Sequence, residues 1–274
     1  MPKNISAAEF TRPAVYFPLS RGRFTVAPGF SPMTTSFGNG AMDSRVFQID
    51  RDFTRFRLNT MQARAERLGK YVCCDPKFDR FAPRVCEAII TRLFVEYPAY
   101  FDLQIESRQQ YILICRLTGD RLRFDRDTQL LDVESRESPV PIYRNAFDAL
   151  VSQVPEDMAV VALPEGEPDV NVALHVTAPS HWAPEEKMGA SFLQTHAAIP
   201  HFERVAGASA TLLETVLTRR PVVRFNWGIE FTDRLNLHPE PPPGTDAEEW
   251  NRRRPRLSDE CPVYLRIERQ VLWG

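Results

Sequence analysis

The chain has 274 residues, of which 43% are hydrophobic and 26% are charged, and its formal net charge is −2 at pH 7. This composition is typical of a folded globular protein, and the balanced charge gives no basic surface for nucleic acid. No apolar run is long enough to span a bilayer. The five cysteines are odd in number and follow no signal peptide, which favours a reducing compartment. We therefore expect a cytoplasmic protein without nucleic-acid or membrane partners.

The N-terminal part of the chain has little periodicity. Residues 1–45 are rich in Pro, Ser, Gly and aromatic residues, and we predict that they form an irregular wrap. The elements predicted next are helices over 51–69, 83–94 and 145–154, and strands over 111–117, 158–163 and 170–176. The last strand alternates apolar with polar or small residues, which predicts a half-buried strand with His175 at the surface.

The C-terminal part of the chain begins with a helix and ends with strands. Its predicted elements are helices over 184–196 and 205–219, a strand over 222–231, a Pro-rich loop over 239–255 and a strand over 261–273. Helices that come early and strands that come late predict an α+β fold with an antiparallel sheet. No clear linker interrupts residues 46–274, so we predict a single domain there.

The stretch 179–200 is the most informative part of the sequence. Pro184 suits the first position of a helix, and a count of four from Met188 places Phe192 and then His196 on one face. Such a face can lie against a flat hydrophobic ligand and offer it an imidazole. Spacing alone favours the alternative, an ordinary core histidine that is bonded to a backbone carbonyl.

The strand over 222–231 has two contrasting faces. One is apolar, and the other carries Arg224, Asn226, Gly228 and Glu230. Buried charges need partners, and a ligand is one possible partner. The alternative is an exposed sheet face with cross-strand ion pairs, for example to Arg266 and Glu268.

Several common site types have no signature in this chain. The spacings of structural zinc, c-type haem, α/β-hydrolases, nucleotide-binding loops and helical zinc histidine pairs are all missing. The run 252–254, followed by Arg256, lies in the Pro-rich loop, where a solvated or docking loop is the plain interpretation and anion binding the alternative.

Three blocks of the sequence together resemble a known family. They are P-S-x-W-x-P-x-E-K-x-G…T-H…I-P from residue 179, R-F-N-W from residue 224 and V-Y-L-R-I-E-R-Q from residue 263. They resemble the alpha subunit of the haem-dependent oxidative N-demethylases and its relatives, over residues 47–274. The resemblance implies a PAS-like antiparallel sheet, flanked by helices, that binds haem b.

The same resemblance implies roles for individual residues. His196 is the expected axial iron ligand, and His238 is the alternative. Cofactor contacts are expected from Lys187, Arg224, Trp182 and Phe192. Catalytic roles at the distal side or haem edge are expected from Asn226, Trp227 and Glu230, and either Glu230 or Asp233 is a carboxylate that suits a cationic amine.

The implied activity is that of a haem-dependent oxygenase that uses O2. The resemblance implies N-hydroxylation or oxidative N-demethylation of a small amine, an amino acid or a guanidine. Because the chain has no flavin, iron–sulfur or nicotinamide signature, a separate reductase or ferredoxin is expected to donate electrons. The alternatives are a haem-PAS sensor of gas or redox state and a haem-free small-molecule binding domain.

Overall fold

The computed structural model describes residues 12–17, 29–197, 221–252 and 262–274. Contacts divide the chain into two compact units. Among the described residues, unit 1 comprises 12–13, 47–160 and 172–178, and unit 2 comprises 14–17, 29–46, 161–171, 179–197, 221–252 and 262–274. The division predicted at residues 45 and 46 stays a prediction.

The described residues form an α+β fold with antiparallel sheets, as the sequence predicts. The α-helices are α1 (Phe53–Arg67), α2 (Ala82–Glu96), α3 (Ala146–Val151), α4 (Phe192–His196) and α5 (Ala247–Trp250). The strands are β1 (Ser31–Pro32), β2 (Val72–Cys74), β3 (Phe101–Ile105), β4 (Gln110–Cys115), β5 (Arg121–Asp125), β6 (Leu130–Glu134), β7 (Met158–Ala162), β8 (Val170–His175), β9 (Val222–Glu230) and β10 (Tyr264–Leu272). The helix predicted over 205–219 and the start of the strand predicted at 261 lie outside the described residues. No helix of the described ranges is both long and apolar enough to cross a membrane.

Unit 1 contains the four-stranded antiparallel sheet β3–β4–β5–β6. Along β5, Leu122 and Phe124 are fully buried, whereas Arg121 and Arg123 alternate with them and pair with carboxylates of β6 and with Glu106. This is the period-2 pattern of a sheet with one face in the core and one in water. The helix α2 begins with a proline in its first turn and buries Ile89 and Leu93 on one face.

The prediction of a half-buried strand over 170–176 is wrong. β8 is the central strand of the sheet β2–β8–β7, and its residues 171–175 are all buried. His175 is only 1% exposed. Its Nε2 lies 3.2 Å from the Ser152 hydroxyl and 3.3 Å from the Asp148 carboxylate. These polar partners in the core of unit 1 make the burial of an imidazole tolerable.

Asp148 lies at the centre of this buried polar group. It is fully buried and accepts hydrogen bonds from the Arg64 guanidinium and the Arg144 backbone N–H. Burial raises the pKa of Asp148, but hydrogen bonds from His175 and Arg64 and their charges outweigh it and leave the pKa at about 2. The carboxylate therefore contributes stability that is present above the unfolded value of about 3.9 and is lost as pH falls through about 2.

We predict that Asp148→Asn lowers the free energy of unfolding by about 3 kcal/mol at pH 7, because it removes one charge from a buried ion pair. The difference between wild type and variant should shrink as pH falls from about 4 towards about 2. Urea unfolding at several pH values measures both effects. A difference that stays constant with pH would contradict the role given to this carboxylate.

Unit 2 contains the antiparallel sheet β1–β9–β10. β9 and β10 pair over nine residues, and β1 joins β9 at Val223. The apolar face of β9 packs on the N-terminal segment, where the ring of Phe225 lies 4.4 Å from Tyr16 and 5.0 Å from Phe37. On the same face, Arg269 donates to the carbonyls of residues 45 and 46. The opposite face of β9 is therefore the one available to a site.

Candidate functional site

The segment 184–196 is two short helices, not the single helix that the sequence predicts. A 3-10 helix covers Pro184–Lys187, with the proline in its first turn as expected, and α4 follows at Phe192–His196. Gly189 separates them with φ of 73°, a left-handed conformation that glycine adopts without a Cβ penalty. The i, i+4 relation between Phe192 and His196 survives within α4, but Met188 does not belong to that face.

The short helix α4 is fixed at its N-terminus. The Ser191 hydroxyl accepts from the Gln194 N–H, and the Gln194 side chain accepts from the Ser191 N–H, which together form a capping box. The Asp169 carboxylate accepts from the Phe192 N–H. Five residues are too few for a helix to be stable alone, so these contacts hold it in place.

Asn171 of β8 ties α4 to the 3-10 helix. Its buried side-chain amide donates to the Lys187 carbonyl at 3.1 Å and to the Thr195 hydroxyl at 2.8 Å. Its backbone N–H and C=O pair with Ala190 and Gly189. The sequence prediction missed this residue, although an amide in an otherwise apolar strand was a signal for it.

His196 ends α4 and is half-buried, so it is not a residue of the closed core. Its Nδ1–H donates to the Phe192 carbonyl at 2.7 Å, and its ring lies 4.1 Å from the Phe192 ring. A proton on Nδ1 places the lone pair of the neutral imidazole on Nε2, which is the arrangement of metal-binding histidines. The carbonyl contact that a core histidine would make therefore also suits a ligand.

The surroundings of His196 favour its neutral form. Burial lowers its pKa, and the charges of Arg224 and Lys187 lower it further, while the bond to the Phe192 carbonyl opposes the shift. Burial also lowers the pKa of Arg224, whereas the charge of Glu268 opposes that shift. Three of the residues predicted to contact the cofactor or iron thus share one electrostatic environment.

Arg224 is held on the polar face of β9. Its Nε donates to the Gln270 side chain across the strand pair at 2.6 Å, and its guanidinium lies 5.5 Å from the Phe30 ring. Arg266 and Glu268 of β10, which the alternative interpretation named as cross-strand partners, pair with each other at 3.0 Å. Arg224 is therefore oriented without a carboxylate in direct contact among the described residues.

A second histidine occupies the other end of this face. His181 Nε2 lies 3.0 and 3.2 Å from the two carboxylate oxygens of Glu230, and the two side chains are 21% and 15% exposed. The backbone of His181 has a φ of 61°, which is rare for a residue with a Cβ. The sequence assigned no role to His181, and no local pattern could have shown a contact across 49 positions.

The other predicted residues are not all brought to this face. Asn226 lies on it and is exposed, but Trp227 lies on the opposite face because strand neighbours alternate. Trp182 is half-buried and makes no ring contact with another described residue. Their predicted roles stay predictions.

His238 is engaged by the protein through both ring nitrogens. Its Nδ1 accepts from the Glu240 N–H at 3.0 Å, and its Nε2 lies 3.0 Å from the Glu185 carboxylate. It is also only 1% exposed. These contacts favour His196 over His238 as the residue that presents a nitrogen to a ligand.

Comparison with known families decides what kind of protein this is. A model of proteins like the alpha subunit of the haem-dependent oxidative N-demethylase matches residues 39–274, which is most of the chain. The chain belongs to this family. The name of the family indicates haem dependence and oxidative chemistry. No curated protein matches the chain closely enough to be named as a relative.

The residues of unit 2 fit the haem that the family name indicates. A neutral imidazole with its proton on Nδ1 suits axial ligation of iron. The two nearby cations, Lys187 and Arg224, match the two carboxylates that a haem b carries, and Phe192 gives an aromatic face beside the imidazole. The chemistry of the set therefore agrees with the family assignment.

We predict that Asn171→Ala lowers the free energy of unfolding by about 1–3 kcal/mol, because it leaves the Lys187 carbonyl and the Thr195 hydroxyl without their buried donor. Asn226→Ala is the matched control, since that amide is exposed and forms no hydrogen bond with the described residues. Denaturant unfolding of both variants gives the comparison. Equal effects would show that Asn171 does not anchor α4.

We also predict that His196 of the haem-free protein titrates below the ordinary histidine value of about 6.5. The unfolded chain then takes up this proton first, so stability falls as pH drops below about 6.5. Lys187→Met should raise the pKa of His196, because it removes a nearby positive charge. NMR titration of the ring measures this, with the exposed Lys77→Met as control. An unchanged midpoint in Lys187→Met would contradict the proximity of the charge.

Proposed function

We propose that this protein is a haem-dependent oxygenase that uses O2 to oxidise the nitrogen, or an N-alkyl carbon, of a small amine, amino acid or guanidine. The reaction is N-hydroxylation or oxidative N-demethylation. The proposal rests on one observation above all: the imidazole of His196 is held by the Phe192 carbonyl beside two cations. Family membership supports the oxidative chemistry.

In this proposal unit 2 binds haem b in a PAS-like setting. His196 ligates the iron through Nε2, and Lys187 and Arg224 bind the propionates. Trp182 and Phe192 contact the macrocycle. When bound, the haem supplies the activation of oxygen, and the chain supplies ligation, orientation and exclusion of water.

The polar face of β9 is the proposed place for the substrate. A small amine is a cation at neutral pH, and Glu230 offers it a carboxylate that is largely shielded from water. Asn226 adds an amide further along the same face, whereas Trp227 lies on the opposite face of β9, so its predicted catalytic role is not a contact with a substrate bound here. N-hydroxylation and N-demethylation then differ only in which substrate atom, the nitrogen or the N-alkyl carbon, this face presents for oxidation.

The proposal includes an electron donor. The family is named for an alpha subunit, so a partner subunit or a separate reductase or ferredoxin is the proposed source of electrons. The competing function is a haem sensor of gas or redox state. Amine-dependent consumption of O2 with a reductase distinguishes the two, since a sensor consumes none.

The first test is an absorption spectrum of the purified protein with haemin, before and after dithionite and carbon monoxide. We predict a Soret band that shifts on reduction and shifts again with carbon monoxide. His196→Ala should lose this band or change its position, and added imidazole should restore it. Leu193→Ala, an exposed neighbour on α4, serves as the control.

Two outcomes would contradict the proposal. A protein that stays colourless with haemin would leave the haem-free binding domain as the function. Unchanged haem spectra in His196→Ala would overturn the ligand assignment and keep the haem assignment.

A further inference from the structure

We propose that His181 and Glu230 form a proton-accepting pair that removes the N–H proton of the bound amine. This inference rests on the proposed function, because it concerns an amine on the polar face of β9. It adds a catalytic residue, His181, that neither the sequence pattern nor the family assignment indicates.

The first support is the orientation of the His181 ring. Its Nε2 lies within hydrogen-bond distance of both oxygens of the Glu230 carboxylate. A carboxylate only accepts, so Nε2 carries the proton, and the neutral ring has its lone pair on Nδ1. Among the described residues, Nδ1 of His181 has no hydrogen-bond partner. A carboxylate that orients an imidazole in this way is the usual arrangement of a general base.

The second support is the backbone of His181. A φ of 61° at a residue with a Cβ costs about 1 kcal/mol or more, and such strain concentrates at functional sites. The strained residue is held in place, since its N–H donates to the Leu237 carbonyl and the Leu237 N–H donates to the Pro179 carbonyl. The ring is thus directed at Glu230 by an anchored turn and not by a flexible loop.

The third support is space beside the pair. Gly228 precedes Glu230 on the same face, and a Cβ built on it would meet no atom within 4 Å. Two residues along a strand span about 7 Å, so a small amine above Gly228 lies beside the His181–Glu230 pair. Asn226 borders the same gap on its other side.

The proposed step moves only a proton. The ammonium N–H bond breaks, its electron pair stays on nitrogen as the lone pair, and the proton passes to Nδ1 of His181. The Glu230 carboxylate then stabilises the imidazolium, which returns the proton to water through the exposed part of the ring. Oxidation of the amine needs an unprotonated nitrogen with a free lone pair. The proton transfer to His181 therefore precedes the oxidation.

Other ionisable groups surround the pair. On β10, Tyr264, Arg266 and Glu268 lie opposite Glu230, Gly228 and Asn226, and the segments next to the pair in sequence carry Asp233, Glu185 and His238. Arg266 is paired with Glu268, and His238 with Glu185, and Tyr264 lies opposite Glu230 in the strand register.

The test uses the haem-loaded protein with dimethylamine as the probe, hydrogen peroxide as the oxidant and formaldehyde as the product measured. His181→Gln should lower kcat by about 10²–10³-fold and abolish the acidic limb of the pH profile, with an unchanged carbon monoxide spectrum. Glu230→Asp should give a partial loss, because the charge remains but the contact to Nε2 is broken. Glu248→Gln, an exposed carboxylate on α5, is the control for loss of charge. Gly228→Val should raise KM without changing the spectrum, since it fills the gap.

A His181→Gln variant that retains kcat within threefold, or the same acidic limb, would overturn the inference. A second readout needs no turnover: ¹⁵N NMR of the histidine rings in the ferrous carbon monoxide form, or in the haem-free protein if haem is not taken up. A His181 proton on Nε2 supports the pair, and a proton on Nδ1 overturns it. Failure of the proposed function would instead appear as absent haem uptake in the wild type.

Discussion

The candidate site depends on one hydrogen bond, from Nδ1–H of His196 to the Phe192 carbonyl one turn earlier. This bond decides which nitrogen of the ring has the lone pair, and it holds the ring plane against the helix. It persists only if α4 persists, and a helix of five residues has little stability of its own. The capping box at Ser191 and the amide of Asn171 therefore hold the His196 ring in its orientation.

The two histidines of unit 2 that concern the site, His196 and His181, have ring partners of opposite kinds. His196 donates from Nδ1 to a neutral carbonyl, and burial and nearby cations lower its pKa. His181 faces a carboxylate through Nε2, which orients its ring and leaves Nδ1 as the acceptor. The first environment suits coordination of a metal, where a neutral imidazole is needed, and the second suits acceptance of a proton. One residue type thus serves two purposes because the partner of each ring differs.

Local sequence patterns could predict those parts of the fold that depend on residues close to one another in the sequence. The alternation along β9 separated the apolar face from the polar one, and the helix predicted over 145–154 is α3, which Asn145 caps. The break at Gly189 was missed because a count by four ignores a residue whose φ is positive. The burial of His175 was missed because its partners are far along the chain, and the pairing of His181 with Glu230 was missed for the same reason. The family resemblance therefore gave the predicted roles of single residues, and the structure gave the contacts between residues that lie far apart in the sequence.

The charges around His196 give the site a reason to bind an anion. Arg224 is largely removed from water, and among the described residues its direct polar partner is the neutral side chain of Gln270. Burial lowers the pKa of the His196 imidazole, and the charges of Arg224 and Lys187 lower it further. Removing cations from water costs free energy, and at Arg224 the charge of Glu268 offsets the effect of burial on the pKa only in part. A ligand with two carboxylates would add negative charge and would stabilise the folded chain by mass action. In the proposed function, haem binding and the stability of unit 2 are coupled for this reason.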